Sequence, residues 1–259
     1  MKTIILCGGK GIRLYEETEF RPKPMVYVGD KPIIWHIMKI YAHYGYNEFV
    51  LALGYKAEFI KDFFLNQKVY TTDFTLKTKD HTTRFYFENR TEVDEFVITF
   101  VDTGPETLIG ERILRCQKYI PKNDKYFMVT YGDGVSDLNI EKLIDFHKKQ
   151  GTIGTITGVH PRSKFGLVKV DKNNLVKKFV EKPTVTDWVS GGYMVFKRDF
   201  FNYLRVGEME HPALMRLAKE KELSLYQHDG FWDAVDTFKE LEGLRTLWAL
   251  SNPPWRVWK

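Results

Sequence analysis

Thr3-Ile4-Ile5-Leu6-Cys7-Gly8-Gly9-Lys10-Gly11-Ile12-Arg13-Leu14 opens the chain, and Arg21-Pro22-Lys23-Pro24-Met25 follows closely. A β-prone run from Thr3 to Leu6 feeding a loop of three glycines, with cationic side chains after it, is what a strand-to-helix phosphate cradle needs. The glycines let backbone N–H groups approach a polyphosphate, while Lys10, Arg13 and Lys23 supply charge. The spacing is neither a Walker P-loop nor the dinucleotide G-x-G-x-x-G pattern. An ordinary strand-to-helix turn with exposed basic residues would look the same locally, so the rest of the chain has to decide.

Working outward, Asp30 precedes Pro32 and an apolar stripe at Ile33, Ile34, Ile37, Ile40, Tyr41 and Tyr44 that closes at Gly45. This predicts a capped amphipathic helix with Pro in its first turn. Glu48 to Leu53 then reads as a strand and Ala57 to Phe64 as a helix. Strand and helix in alternation build a parallel sheet covered on both faces. The rhythm breaks over 66–95, which is rich in Thr, Lys, Asp and Asn and reads as an insertion. It resumes with strands at Phe96–Asp102 and Tyr126–Tyr131 and a helix over Ile140–Lys149. After a strand at Thr152–Val159, a hairpin turns at Asp171-Lys172-Asn173-Asn174. Strands follow at Gly191–Phe196 and Leu223–Gln227, with helices over Pro212–Lys221 and Thr237–Leu250. The expected fold class is α/β, a Rossmann-like mixed, mostly parallel sheet flanked by helices. Residues 1–259 are expected to form a single domain, with a C-terminal helix and tail over 237–259.

Bulk properties narrow the function. The 259 residues are enough to bury a large core. The net charge of +5, from 39 basic and 34 acidic residues, is spread without a block of one sign. That suits a small polyanionic substrate and argues against a nucleic-acid surface. Cys7 and Cys116 lie far apart with no C-x-x-C spacing, so no disulfide framework or zinc site is suggested. No run of 18 apolar residues and no signal-peptide core is present, and the expectation is a cytoplasmic protein with no membrane partner.

Asp133 sits at the carboxyl end of an apolar strand, where ligands bind in open α/β sheets. Asp236 follows Gly230-Phe231-Trp232 and immediately precedes a helix. The pair could converge on one hard cation such as Mg2+, or be a turn aspartate and a helix N-cap. Glu181-Lys182-Pro183 places a cation at a strand end, or is a solvated turn; Ser190-Gly191-Gly192 admits a ligand, or is a tight turn. The seven histidines show no metal-ligand spacing. Trp255 and Trp258, beside Pro253-Pro254, read as packing a C-terminal tail or a subunit contact.

Taken together, Gly8 to Leu14, Glu16-Glu17-Thr18, Arg21 to Val26, Asp102-Thr103-Gly104, Thr130 to Val135, Glu181-Lys182-Pro183 and Gly230-Phe231-Trp232 with Asp236 resemble the sugar-phosphate nucleotidylyltransferases. Within that family the likeness is to the glucose-1-phosphate cytidylyltransferases, in motif order and over nearly the whole chain. The resemblance implies transfer of CMP from CTP to a sugar 1-phosphate, by default glucose 1-phosphate, by a homo-oligomer. It also implies that Leu6, Gly8, Gly9, Gly11, Ile12, Arg13, Lys23, Thr103, Gly104, Gly110, Arg112, Tyr131 and Gly132 bind nucleotide. Glu181, Lys182, Ser190, Gly191, Gly192 and His211 would bind the acceptor. Asp133 and Asp236 would hold Mg2+, and with Arg13, Lys23 and Lys182 they form the implied catalytic set. Four positions depart from the family pattern: Ile12 stands for Thr, Glu111 for Gly, Ser190 for Asn and His211-Pro212 for Glu-Pro. The alternatives are UTP or dTTP as donor, another phosphorylated acceptor, or a catalytically silent nucleotide-sugar sensor.

Overall fold

A computed structural model describes residues 1–86, 94–250 and 252–258. In chain order its strands are β1 (Thr3–Cys7), β2 (Tyr27–Val28), β3 (Lys31–Pro32), β4 (Glu48–Leu53), β5 (Phe74–Lys77), β6 (Thr82–Phe85), β7 (Val97–Asp102), β8 (Tyr126–Tyr131), β9 (Gly134–Ser136), β10 (Gly154–Val159), β11 (Leu167–Val170), β12 (Val176–Val180), β13 (Val189–Lys197), β14 (Leu223–Gln227) and β15 (Trp232–Ala234). The α-helices are α1 (Tyr15–Thr18), α2 (Ile33–His43), α3 (Ala57–Leu65), α4 (Gln67–Thr71), α5 (Ile109–Cys116), α6 (Ile140–Gln150), α7 (Glu210–Lys219) and α8 (Phe238–Ala249).

Seven strands form the central sheet in the order β14-β10-β13-β8-β1-β4-β7. Only β13 runs antiparallel to its neighbours; the other pairs are parallel. The mixed, mostly parallel sheet expected from the sequence is therefore present. Alternation along the strands feeds two cores. Ile5, Cys7, Phe49, Leu51 and Met128 face one side with α2, α6 and α8. Ile4, Leu6, Val50, Ala52, Phe127 and Val129 face the other with α5, α7 and the 3-10 turn at Arg198–Tyr203. The parallel strands β1, β4, β7 and β8 end at one edge, and that edge carries the site.

Local departures from expectation have physical causes. Asp30 does not cap α2: it lies in the turn between β2 and β3, and Pro32 occupies the N-cap position. The fixed φ of that proline, −69°, suits the extended cap conformation. In the 66–95 insertion, α4 and the β5–β6 hairpin are formed, while 87–93 lie outside the described residues. The strand expected from Thr152 begins at Gly154.

The tail after α8 packs on the protein's own core. Trp255 is fully buried, stacked on Phe231 and Trp248, and its indole N–H donates to His36 Nδ1 at 3.4 Å. His36 Nε2 in turn donates to the Val28 carbonyl at 2.9 Å. Gly29, at φ +71°, leaves no room for a side chain because the Trp248 indole occupies that space. These contacts fix α8, whose N-terminus bears Asp236.

Candidate active site

The glycine loop leaves β1 at Gly8 and reaches a one-turn helix at Ile12–Leu14. Gly11 sits at φ +64°, and a Cβ there would press on Thr18 and the stem of Lys23. A cavity of about 580 Å3 opens over this loop; Leu6, the Gly8–Arg13 run, Lys23, Tyr131, Gly132 and Asp133 line it, with Pro105 to Ile109, Arg112 and Met209 opposite. Lys10 crosses its rim to Glu106 at 2.6 Å.

Arg112 organises this edge. It is 3% exposed, and its guanidinium reaches the carbonyls of Gly8, Leu53, Gly104 and Pro105 and the Thr103 hydroxyl, at 2.6–3.2 Å. One side chain thus ties together the ends of β1, β4 and β7. Gly8 and Gly54 are required by the same contact, because a Cβ at either would fall within 2.5 Å of Arg112 Nη1. Burial lowers the pKa of Arg112, and the neighbouring Arg115 lowers it further.

Of the residues expected on the base side, Thr103, Gly104 and Gly110 do not line the cavity. The Thr103 hydroxyl accepts from Arg112, and Gly110 packs under the Met209 carbonyl, where a Cβ would sit 2.6 Å from oxygen. The lining on that side is Pro105 to Ile109. Its signal in the sequence was position alone, the stretch joining the end of a parallel strand to the next helix. Glu111 is structural too: it takes the Arg115 guanidinium at 2.7 Å and the Gly207 N–H at 2.9 Å.

Two carboxylates converge at the end of β8. The antiparallel pair β9–β15 and a bond from the Val235 N–H to the Asp133 carbonyl, 2.9 Å, bring Asp236 beside Asp133. The Lys23 ammonium lies between them, 2.5 Å from Asp133 Oδ2 and 2.8 Å from Asp236 Oδ1. Arg13 holds Asp236 Oδ2 at 2.9 Å. Burial alone would lower the Lys23 pKa, but the two carboxylates outweigh it and hold the pKa raised. For Asp236, burial pulls upward, yet Lys23, Arg13 and Lys164 leave it below the ordinary carboxylate range. Asp236 is not the N-cap of α8. Thr237 takes that role in a capping box, and Glu240 Oε2 accepts the N–H groups of both Asp236 and Thr237 at 2.8 Å.

Sequence reasoning missed Lys164 and Glu210. Lys164 bonds Glu240 Oε1 at 2.8 Å and lies 3.7 Å from Asp236 Oδ2. It is one basic residue among many in the loop before the hairpin, so nothing in the sequence marked it. Glu210 is buried at the start of α7; Oε1 accepts from the Tyr131 hydroxyl at 2.7 Å, and Oε2 has no hydrogen-bond partner among the described residues. His211, expected to face the acceptor, is exposed, and its neighbour Glu210 turns inward instead.

Lys182 sits at φ +45°, exposed, 3.5 Å from Glu181 Oε1. Its ammonium abuts Lys239 at the start of α8 and lowers the pKa of that lysine. Ser190 is exposed in β13, opposite Gly158. Gly191 takes the Trp232 indole N–H on its carbonyl at 2.7 Å. Gly192, at φ +80°, has the Tyr131 ring where a Cβ would be, so only glycine fits.

The family model for nucleotidyl transferases matches residues 2–241. The chain belongs to the nucleotidyl transferase family. It is 41% identical over its full length, and that of the relative, to a Bacillus subtilis (strain 168) protein named "Probable glucose-1-phosphate cytidylyltransferase". It is 38% identical to the glucose-1-phosphate cytidylyltransferase of Salmonella typhi, again over all of both chains. Among solved structures, UDP-glucose pyrophosphorylase complexed with UDP-glucose shares the fold, with a TM-score of 0.68 over 96% of this chain and 98% of that one, at 18% identity.

Proposed function

We propose that this nucleotidyl transferase moves a cytidylyl group from CTP to a sugar 1-phosphate, with glucose 1-phosphate the default acceptor, giving a CDP-sugar and pyrophosphate. The observation that carries the reading is the convergence of Asp133, Asp236, Lys23 and Arg13 beside a glycine-lined cavity. The full-length relatives supply the choice of CTP and of glucose 1-phosphate.

In this reading an oxygen of the acceptor phosphate forms a bond to the α-phosphorus of CTP, and the bond from that phosphorus to the bridging oxygen breaks as pyrophosphate leaves. A phosphate monoester, with a second pKa of about 6, is already largely dianionic near neutrality and needs no general base. The barrier is the approach of two anions, so orientation and charge are what the protein supplies. Gly8, Gly9 and Gly11 would present the main chain to the triphosphate with Leu6 and Ile12 at its edge, and Arg13 and Lys23 would hold its oxygens. Pro105 to Ile109, Tyr131 and Gly132 would enclose the nucleoside, with Thr103, Gly104, Gly110 and Arg112 shaping that wall. Lys182 would take the acceptor phosphate, and Glu181, Ser190, Gly191, Gly192 and Glu210 would line the sugar side. The residues present fit a divalent metal, Mg2+ in this proposal: two carboxylates already meet one cation, and octahedral Mg2+ uses one or two carboxylates with phosphate and water. Held by Asp133 and Asp236, it would neutralise phosphate charge. Assembly into a homo-oligomer and residence in the cytoplasm complete the proposal.

Pyrophosphate release with four NTPs against a panel of sugar phosphates tests the reading. The expected result is turnover with CTP and glucose 1-phosphate. No turnover with CTP and any acceptor would refute it and leave a nucleotide-sugar sensor.

A further inference from the structure

Lys23 occupies the space between the two carboxylates that would hold a divalent ion, taking one oxygen of each. One Nζ lies 2.5 Å from Asp133 Oδ2 and 2.8 Å from Asp236 Oδ1. A Mg2+ ion contacts its oxygens at about 2.0–2.1 Å, closer than Lys23 does, so an ion entering the space between those two atoms would displace the ammonium. The Lys23 backbone has little freedom to move aside. It lies between Pro22 and Pro24 in a 3-10 turn, with the Met25 N–H on the Pro22 carbonyl at 2.8 Å and the Val26 N–H on the Lys23 carbonyl at 3.1 Å. Only the side chain can yield, and the space beside it is the cavity that it lines with Gly11 and Arg13.

Charge decides when it yields. Lys23, Arg13 and Lys164 face Asp133, Asp236 and Glu240, a cluster balanced three against three. A bare divalent ion entering this cluster adds two positive charges and releases an ammonium whose carboxylates it has taken. Glu240 offers no refuge, since Lys164 and two backbone N–H groups hold it. A polyphosphate arriving with the ion reverses the balance: it fills the cavity with negative charge and gives Lys23 a new partner.

Resting on the nucleotidyl-transfer reading, we infer that Lys23 is an internal counter-ion that keeps the Asp133–Asp236 pair closed to free divalent metal and admits metal only together with a polyphosphate. Metal and nucleotide then bind with positive coupling, each raising the affinity of the other by the same factor. Lys23 thereby has two positions, one on the carboxylates and one on the substrate, and the same residue guards the metal site and serves the phosphate.

The test is Mn2+ binding to the ligand-free protein, read from the electron paramagnetic resonance signal of free Mn2+. Lys23→Met and Lys23→Gln should bind Mn2+ at least about tenfold tighter than the unmodified chain, and adding Asp236→Asn should abolish the gain. Circular dichroism melts check folding, and either variant alone suffices if the other does not fold. Equal or tighter binding by the unmodified chain would overturn the inference. No turnover is required, so the two readings fail separately. A missing tenfold gain in a chain that turns over CTP defeats the counter-ion alone, while a retained gain without turnover defeats nucleotidyl transfer.

Discussion

Arg112 alone holds five acceptors drawn from the ends of three strands, whereas the hairpin that delivers Glu181 and Lys182 leaves Leu167, Val168, Val170, Val176 and Phe179 all at least half exposed. The cavity side, proposed to take the nucleotide, is wired through main-chain carbonyls to the central sheet. The side proposed to take the acceptor hangs on a two-stranded excursion, tied back through Lys164 to the capping box of α8. In the proposed reaction, a site built this way would fix its donor by preorganisation. The proposed acceptor pocket could then change without disturbing the core.

The largest effect expected is at the carboxylates. Asp133→Asn should lower kcat by roughly a thousandfold, comparable to the loss of an essential charge-stabilising group, with the melting temperature within about 3 °C of the parent. Pyrophosphate release and a thermal melt on the same preparation check both parts. Activity within about tenfold of the parent would remove Asp133 from the reacting centre and dissolve the contrast at its strongest point.

Next comes the wiring. Arg112→Met leaves several buried carbonyls without a donor, and should cost about 3 kcal/mol in urea denaturation together with most of the nucleotide affinity. A loss of nucleotide affinity without a loss of stability would show that Arg112 acts on the ligand and not on the strand ends.

What the sequence made legible follows the same division. Strands β1, β4 and β8 were readable because parallel strands buried on both faces are short apolar runs, and the glycine loop was readable because close approach leaves only glycine. That Asp133 and Asp236 meet was not legible locally, because it depends on the β9–β15 pairing, which joins segments far apart in the chain. Thr103, Gly104 and Gly110 flank the cavity wall that Pro105 to Ile109 form, and no local pattern shows which residues of this irregular connection face the cavity. His211 and Glu210 differ by one helical position, about 100° of rotation, and no local pattern shows which faces inward. Lys164 acts only through tertiary contacts, with Glu240 and Asp236.

Glu210 tests the boundary between the two regions. Its Oε2 is buried without a partner among the described residues, while Oε1 binds Tyr131, whose ring fills the space over Gly192. A hydroxyl of the acceptor would satisfy that oxygen. Glu210→Gln replaces a charged acceptor with a neutral amide of the same shape, and should raise KM for the sugar phosphate about tenfold while leaving KM for CTP unchanged. Equal changes in both constants would place Glu210 on the shared wall at Tyr131.

The smallest effect belongs to the hairpin. Phe179 is 62% exposed in β12, paired to Val168 across a two-stranded ribbon. In a single copy of the chain, Phe179→Ser removes little buried area, so urea denaturation should move by less than about 0.5 kcal/mol. A larger loss, growing as protein concentration is raised, would mean that the ring is buried when copies of the chain associate. The acceptor side would then be stiffened by assembly, as the nucleotide side is by Arg112, and the two regions would differ in when they become rigid.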